Sequence, residues 1–289
     1  MNHCASALAV LAVATLISSA NGARVPAFPG AEGAGTFATG GRGGRVIYVS
    51  NLNDSGPGSL REAVEAKGPR TVLFKTSGTI ELRHPLRVRE PFLTIAGQSA
   101  PGDGICLKRC SFMIETHDVV VRFIRSRLGP EGGKAEDAIS IGTGARNVIA
   151  DHCSASWSVD ELLSTSGTNI NGVTVQWCII AEALNKSVHP KGEHGYGSLI
   201  RADGDVTYHH NIYAHNKSRN PRPGSYGEGR GLLLDFRNNL IYDWGERAGY
   251  TSEDPATINY VANYLKSGPS TRRLDEAFNV GGAETKLYA

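Results

Sequence analysis

Seven short stretches of this chain can be written one beneath another. They are LTIAGQ ending at Gln98, VVVRFI at Ile124, VIADHC at Cys153, VTVQWC at Cys178, VTYHHN at Asn211, LDFRNN at Asn239 and INYVAN at Asn263. Their end residues are 26, 29, 25, 33, 28 and 24 positions apart. Each stretch alternates apolar and polar residues, the two-residue period of a strand, and helical periodicity is absent. Gly, Asn and Asp lie between them. A repeat of this length constrains the fold more than any single motif, because such units bury their apolar faces only by stacking on one another.

The final column sharpens the reading. Asn211, Asn239 and Asn263 end three successive stretches, and Cys153 and Cys178 end the two before. Identical amides at one coil period can hydrogen-bond to each other and satisfy the turn backbone. That is the ladder expected of a parallel β-solenoid with coils of roughly 25 residues plus insertions. A β-sandwich spaces its strands at about 8–12 residues with hairpin turns between them, and few tight Asn-Gly hairpins are present. Ahead of the repeat, SLREAVE places Ser59 and Glu62 in capping-box spacing, so a short helix over 59–67 is expected to cap the open end of the solenoid. The chain ends in GGAETKLYA, which resembles the start of another coil, so the C-terminal end is expected to be incomplete or covered.

The 289 residues, 40% of them hydrophobic, suffice for one large domain or two small ones. A formal net charge of +2 is too small for nucleic-acid binding by bulk electrostatics. Any preference for an acidic ligand must come from a local cluster. Residues 1–20 read as a secretory signal peptide: an apolar run from Ala5 to Ile17, shorter than a membrane span, precedes the small residues Ser18, Ser19 and Ala20. The remainder, 24–289, is read as a single exported domain, secreted or periplasmic, monomeric, with no membrane and no nucleic-acid partner. Cys106, Cys110, Cys153 and Cys178 belong to no CxxC pair, which argues against zinc. Two disulfides and stacked free thiols both remain open, with Cys153 and Cys178 expected on adjacent coils.

Two longer segments, DAISIGTGARNVIADHCSASWSVDELLSTSGTNINGVTVQWC and YHHNIYAHNKSRNPR, resemble the pectate lyase family of polysaccharide lyases, as does the opening FPGAEGAGTFATGGRGGRVIYVSNLNDSGPGSLREAV. The similarity runs through residues 25–265 in order. It implies an all-β fold, a right-handed parallel β-helix, and cleavage of a polygalacturonate-like acidic polysaccharide by β-elimination with calcium. In that chemistry a base removes the proton next to a carboxylate, and cations stabilise the enolate-like charge that develops. Calcium suits the task because it takes oxygen ligands and can bridge protein and substrate carboxylates.

The resemblance assigns roles residue by residue. In HNKSRNPRPG, Arg219 falls on the family's base, followed by the stiffening Pro221. Crowding by Lys217, Arg222 and Lys191 is expected to lower its protonation, against the ordinary tendency of arginine to stay charged. The loop's last family arginine would fall at Gly224, and Arg222 is the nearest replacement as a carboxylate-binding fork. Asp137 and Asp160 fall on calcium-ligand positions. A second acid four residues after Asp160 is replaced by Ser164, and Glu161 is expected to compensate if its loop turns inward. Lys191 in HPKGEHGYGS, ahead of Lys186, is expected to meet a substrate carboxylate, with His194 as its neighbour. Asp151 and the pair His209–His210 are read as wall residues of the solenoid. Two rivals stand beside the lyase: an inverting glycoside hydrolase using Asp137, Asp160 and Glu161 as paired acids, and a noncatalytic polyuronate-binding solenoid.

Overall fold

The computed structural model describes residues 24–227, 230–252 and 254–289. The proposed signal peptide, residues 1–20, lies outside them. Twenty-six strands are found among the described residues. Three parallel sheets of ten, eight and six strands are visited in turn by each coil, and a fourth sheet has two strands. The result is a parallel β-solenoid.

The strand register reproduces the intervals of the sequence repeat. In the ten-stranded sheet Leu93 pairs with Val119, Val119 with Val148, Val148 with Val173, Val173 with Val206, Val206 with Leu234 and Leu234 with Ile258. Those offsets match the intervals of the sequence repeat because each coil places its apolar residue over the equivalent residue of the coil before. The inward residues merge into one core that runs from Val49 to Ile258.

The amide ladder forms. Asn211 Nδ2 donates to Asn239 Oδ1 at 3.0 Å, and Asn239 Nδ2 donates to Asn263 Oδ1 at 3.0 Å. The Cys178 N–H donates to Asn211 Oδ1 at 2.9 Å, so the ladder also satisfies the backbone of the preceding coil. The residue before each ladder position is left-handed: Phe123, His152, Trp177, His210, Asn238 and Ala262 have φ between 51° and 56°. One such residue per coil turns the chain sharply from the ten-stranded to the eight-stranded sheet. All four described cysteines are free, so the thiol alternative holds.

Helix α1, Leu60–Glu65, caps the solenoid and is shorter than the expected 59–67. Ser59 accepts from the Glu62 N–H at 3.2 Å, and Leu60, Ala63 and Val64 face the core. Arg70 is fully buried with no carboxylate partner among the described residues; its guanidinium donates to the carbonyls of Ala63, Val64, Gly68, Glu90 and Pro91. It thereby ties the open carbonyls at the end of α1 to the first coils.

The glycine-rich N-terminal segment crosses the outer face of the ten-stranded sheet. The Gly35 N–H donates to Thr174 Oγ1 at 2.8 Å and that of Gly41 to Thr94 Oγ1 at 2.9 Å. A Cβ on Gly35 would sit 2.3 Å from the Val148 carbonyl oxygen, and one on Gly41 1.9 Å from that of Arg70. Only glycine allows this approach. Ala31 and Ala38 complete the contact against Val120 and Ile149.

Candidate active site

The loops that join the eight-stranded to the six-stranded sheet lie above one another, and they carry most of the residues singled out from sequence. The pairing of Ile139 with Leu163 sets Asp137 beside Glu161 on the next coil, where the Glu161 N–H donates to Asp137 Oδ1 at 3.2 Å. Glu161 then bridges to Tyr196, and Tyr196 to Ser218, the residue before Arg219. Asp137, Glu161, Tyr196 and Arg219 are therefore ordered by coil stacking.

Carboxylate oxygens of Asp137, Asp160 and Glu161 lie within 4.8 Å of one another. Glu161 is buried, 3% exposed. Burial and the charge of Asp160 push the Asp137 carboxyl up to about 7. Burial and the charge of Asp137 also raise Glu161 well above the usual carboxylate range, against the pull of Arg219. Three acids beside one guanidinium leave an excess of negative charge that cannot ionise fully without a cation. An all-oxygen donor set suits a hard divalent ion such as calcium.

Arg219 makes a close ion pair through Nη1 with Glu161 Oε1. Its guanidinium carbon stands 4.1 Å from the centre of the Tyr196 ring, and its Nε is buried with no partner among the described residues. Its backbone has φ 60°, a left-handed conformation that costs a side-chain-bearing residue on the order of 1 kcal/mol. Burial opposes its charge, but Glu161 and the neighbouring Tyr250 and Tyr196 outweigh it, and the guanidinium is held above its ordinary value.

Against Asp160 stands a pair of imidazoles. His194 Nε2 is 3.0 Å from Asp160 Oδ1, and His189 Nε2 is 3.9 Å from Oδ2. The two rings stack with centroids 3.7 Å apart and planes 3° from parallel. The Lys191 N–H donates to His189 Nδ1 at 3.1 Å. That bond puts the His189 proton on Nε2, facing Asp160. Burial, reinforced by the nearby cations, pushes His194 down to about 4, so the ring adds no positive charge at neutral pH.

Several expectations need correction. Arg219 is not crowded by free cations: Lys217 pairs with Glu246 at 3.3 Å and Glu193 at 3.5 Å, and Arg222 pairs with Asp254 at 3.2 Å. The group that governs its protonation is an acid, Glu161. Arg222, on the strand Arg222–Gly224, is committed to Asp254 and is no open fork. Asp254 also explains Gly224, since a Cβ there would lie 2.8 Å from Asp254 Oδ2. Glu161 does turn inward, but it serves Arg219 as well as the acidic cluster. Ser164, buried on Leu163–Ser166, puts a neutral hydroxyl where a further acid was absent and accepts from the Leu199 N–H at 3.2 Å. His194 is turned to Asp160. Lys191 is exposed at the edge of the same loop.

Asp151 is fully buried and taken up by Arg122 at 2.7 Å, Gln176 at 2.7 Å and His152 at 2.9 Å, a wall residue as read from sequence. Of the tryptophans, Trp157 and Trp177 are exposed and Trp244 is buried. His189, Tyr196 and Tyr250 were missed. The signal for the first two was the insertion that made the longest interval, 33 residues, because an insertion at one corner delivers all its side chains there. Tyr250 gave no signal.

Matched against family models, the chain fits none. It is 43% identical over 249 residues to the Aspergillus flavus protein called "Probable pectate lyase C", covering 85% of this chain and 55% of that protein. It is 42% identical over 271 residues to the protein of the same name from Aspergillus terreus, covering 91% and 60%. The chain thus spans somewhat more than half the length of these curated relatives. Among solved structures, a Bacillus pectate lyase in complex with trigalacturonate superposes with TM-score 0.59 at 16% identity, covering 89% of this chain and 86% of that one. The major allergen of cedar pollen gives TM-score 0.58 at 18% identity, covering 89% and 82%. By its solenoid architecture and by the sequence it shares with these relatives over most of its own length, the chain is similar to the pectate lyases.

Proposed function

We propose that the protein is a calcium-assisted polysaccharide lyase that cleaves a polygalacturonate-like uronan by β-elimination, acts outside the cytoplasm as a monomer, and uses Arg219 at the reacting carbon. The single observation that carries this reading is the juxtaposition, on stacked coils, of the acidic cluster Asp137–Asp160–Glu161 with a buried guanidinium. Calcium held at that cluster would supply positive charge for the substrate carboxylate, and Glu161 would be shared between it and Arg219. Asp137, Asp160 and Glu161 are the residues that would hold it. Asp160 is flanked by His189 and by His194, whose ring adds no charge at neutral pH.

Arg219 must be unprotonated to abstract a proton, and a protonated guanidinium does not lose its charge readily. Glu161, in contact with it, is what raises its proton affinity, so drawing Glu161 away would favour the unprotonated form. Returned to its charged form, the guanidinium then stabilises the negative charge on the substrate. Lys191, exposed on the adjoining coil, would meet a substrate carboxylate.

An inverting hydrolase using the same acids would leave Arg219 without a role, and a binding solenoid would not need paired buried charges. Product chemistry separates them. Incubation with polygalacturonate should raise ultraviolet absorbance from a new carbon–carbon double bond, and chelator should abolish the rise. New reducing ends without absorbance would identify a hydrolase, and neither signal a binding protein.

A further inference from the structure

With Arg222 tied to Asp254, the carboxylate contact expected from its strand is missing, and the nearby Lys217 is held by two glutamates. The structure offers others. A pocket of about 380 Å³ adjoins Arg219 and is lined by Tyr196, Ser218, Glu246, Tyr250 and the arginines 247, 272 and 273. It opens beside Arg219, since Tyr196 faces the guanidinium and Tyr250 lies next to it. Glu246 is taken by Lys217, and Arg273 pairs with Glu276 at 3.4 Å. Arg247 and Arg272 pair with no carboxylate among the described residues.

Coil stacking sets their order. The Glu246 N–H donates to the Lys217 carbonyl, and the Arg272 N–H to the Gly245 carbonyl. Arg247 therefore stands one coil beyond Arg219 and Arg272 two coils beyond, at steps of about 4.8 Å each. Along the solenoid axis the chain thus presents the acidic cluster, then Arg219, then two guanidiniums that meet no carboxylate among the described residues. Arg247 packs over the Tyr250 ring at 5.3 Å, which restricts its fork.

We propose that Arg247 and Arg272 form a substrate subsite that binds carboxylates of uronic-acid units lying beyond the cleavage point on the C-terminal side of Arg219. The inference rests on the uronan-lyase reading of the Arg219 site. A polymer with one carboxylate per sugar, laid along the axis, meets a cation requirement at one end and fixed guanidiniums at the other. Bidentate guanidinium–carboxylate contacts give affinity and register together. Such contacts act on ground and transition state alike, so they lower KM more than they raise kcat.

The test compares the full-length wild type with R247Q/R272Q, and with R45Q/R146Q as a charge-matched control on the distant ten-stranded sheet. Two readouts are taken: steady-state formation of unsaturated product, and retardation in a gel cast with polygalacturonate under chelation, where no turnover occurs. Loss of the subsite should raise KM about tenfold, leave kcat within about twofold, and abolish most of the gel retardation. The control should match wild type. An R247Q/R272Q variant with unchanged far-ultraviolet circular dichroism, KM and retardation would overturn the subsite while leaving the lyase reading intact. Retardation of wild type without unsaturated product would overturn the lyase reading, and the subsite with it.

Discussion

Removal of the two partners of the Arg219–Glu161 pair, singly and together, gives the sharpest physical prediction. Glu161→Gln leaves a guanidinium whose side chain is only 21% exposed without its counter-charge. Breaking a buried pair in this way costs about 3–5 kcal/mol, and the residual exposure of Arg219 puts the cost near the lower end. The same change removes a charge from beside Asp137, which returns on the order of 1 kcal/mol. A net loss of about 2 kcal/mol is expected. Arg219→Ala strands Glu161, 4% exposed at its side chain, next to Asp137 and Asp160. Its cost should reach about 3 kcal/mol at neutral pH and shrink in acid, where a proton replaces the guanidinium. The double variant carries neither charge, so its loss should fall below the sum by roughly 2 kcal/mol or more. Urea unfolding followed by circular dichroism, under chelation at pH 7 and pH 5, measures all four corners. Additivity within about 0.5 kcal/mol at both pH values would refute the reasoning.

Other consequences are as direct. Asn211→Ala removes an amide that serves the Cys178 N–H, the Val175 carbonyl and Asn239; it should cost about 2–4 kcal/mol in urea unfolding, because buried backbone groups lose their partners. Arg70→Leu should destabilise by at least about 3 kcal/mol, since five carbonyls lose their common donor, and exchange of α1 amides should rise first. Because the Asp137 carboxyl is raised to about 7 in the folded chain, the folded state holds protons more tightly than the unfolded one. Chelated protein should therefore lose stability as pH rises from about 4 to about 7. Calcium affinity, read by calorimetry, should run the opposite way, tightening up to about tenfold per pH unit below 7 and levelling above it. His194→Phe keeps the stack on His189 but deletes the nitrogen facing Asp160; it should weaken calcium binding several-fold while His194→Gln largely restores it.

The fold was legible because a solenoid translates sequence interval directly into strand register. The stretches ending at Gln98 through Asn263 needed only to be aligned by their apolar alternation, and the amide column identified the corner. The glycine-rich lead-in was legible only as family resemblance, since nothing local says that Gly35 and Gly41 press against carbonyls of distant coils. For the site, Asp137, Asp160, Glu161 and Arg219 were brought together as expected. Ion pairing was not readable. Asp254 reaches Arg222 across 32 positions and Glu246 reaches Lys217 across 29, and both distances depend on loop paths that periodicity does not specify. Crowding of like charges in HNKSRNPRPG suggested a less protonated Arg219. Coil stacking instead delivers an acid to each of Lys217, Arg219 and Arg222, and Arg219 is held in its charged form.

The central claim is elimination at Arg219, and the most direct test is the rate of unsaturated-product formation from polygalacturonate by wild type and Arg219→Ala, side by side in saturating calcium, with calcium binding measured on both. A wild-type rate that falls by about a thousandfold or more in the variant, with calcium still bound, is the predicted result. An Arg219→Ala variant that forms unsaturated product within a few-fold of the wild-type rate would contradict it.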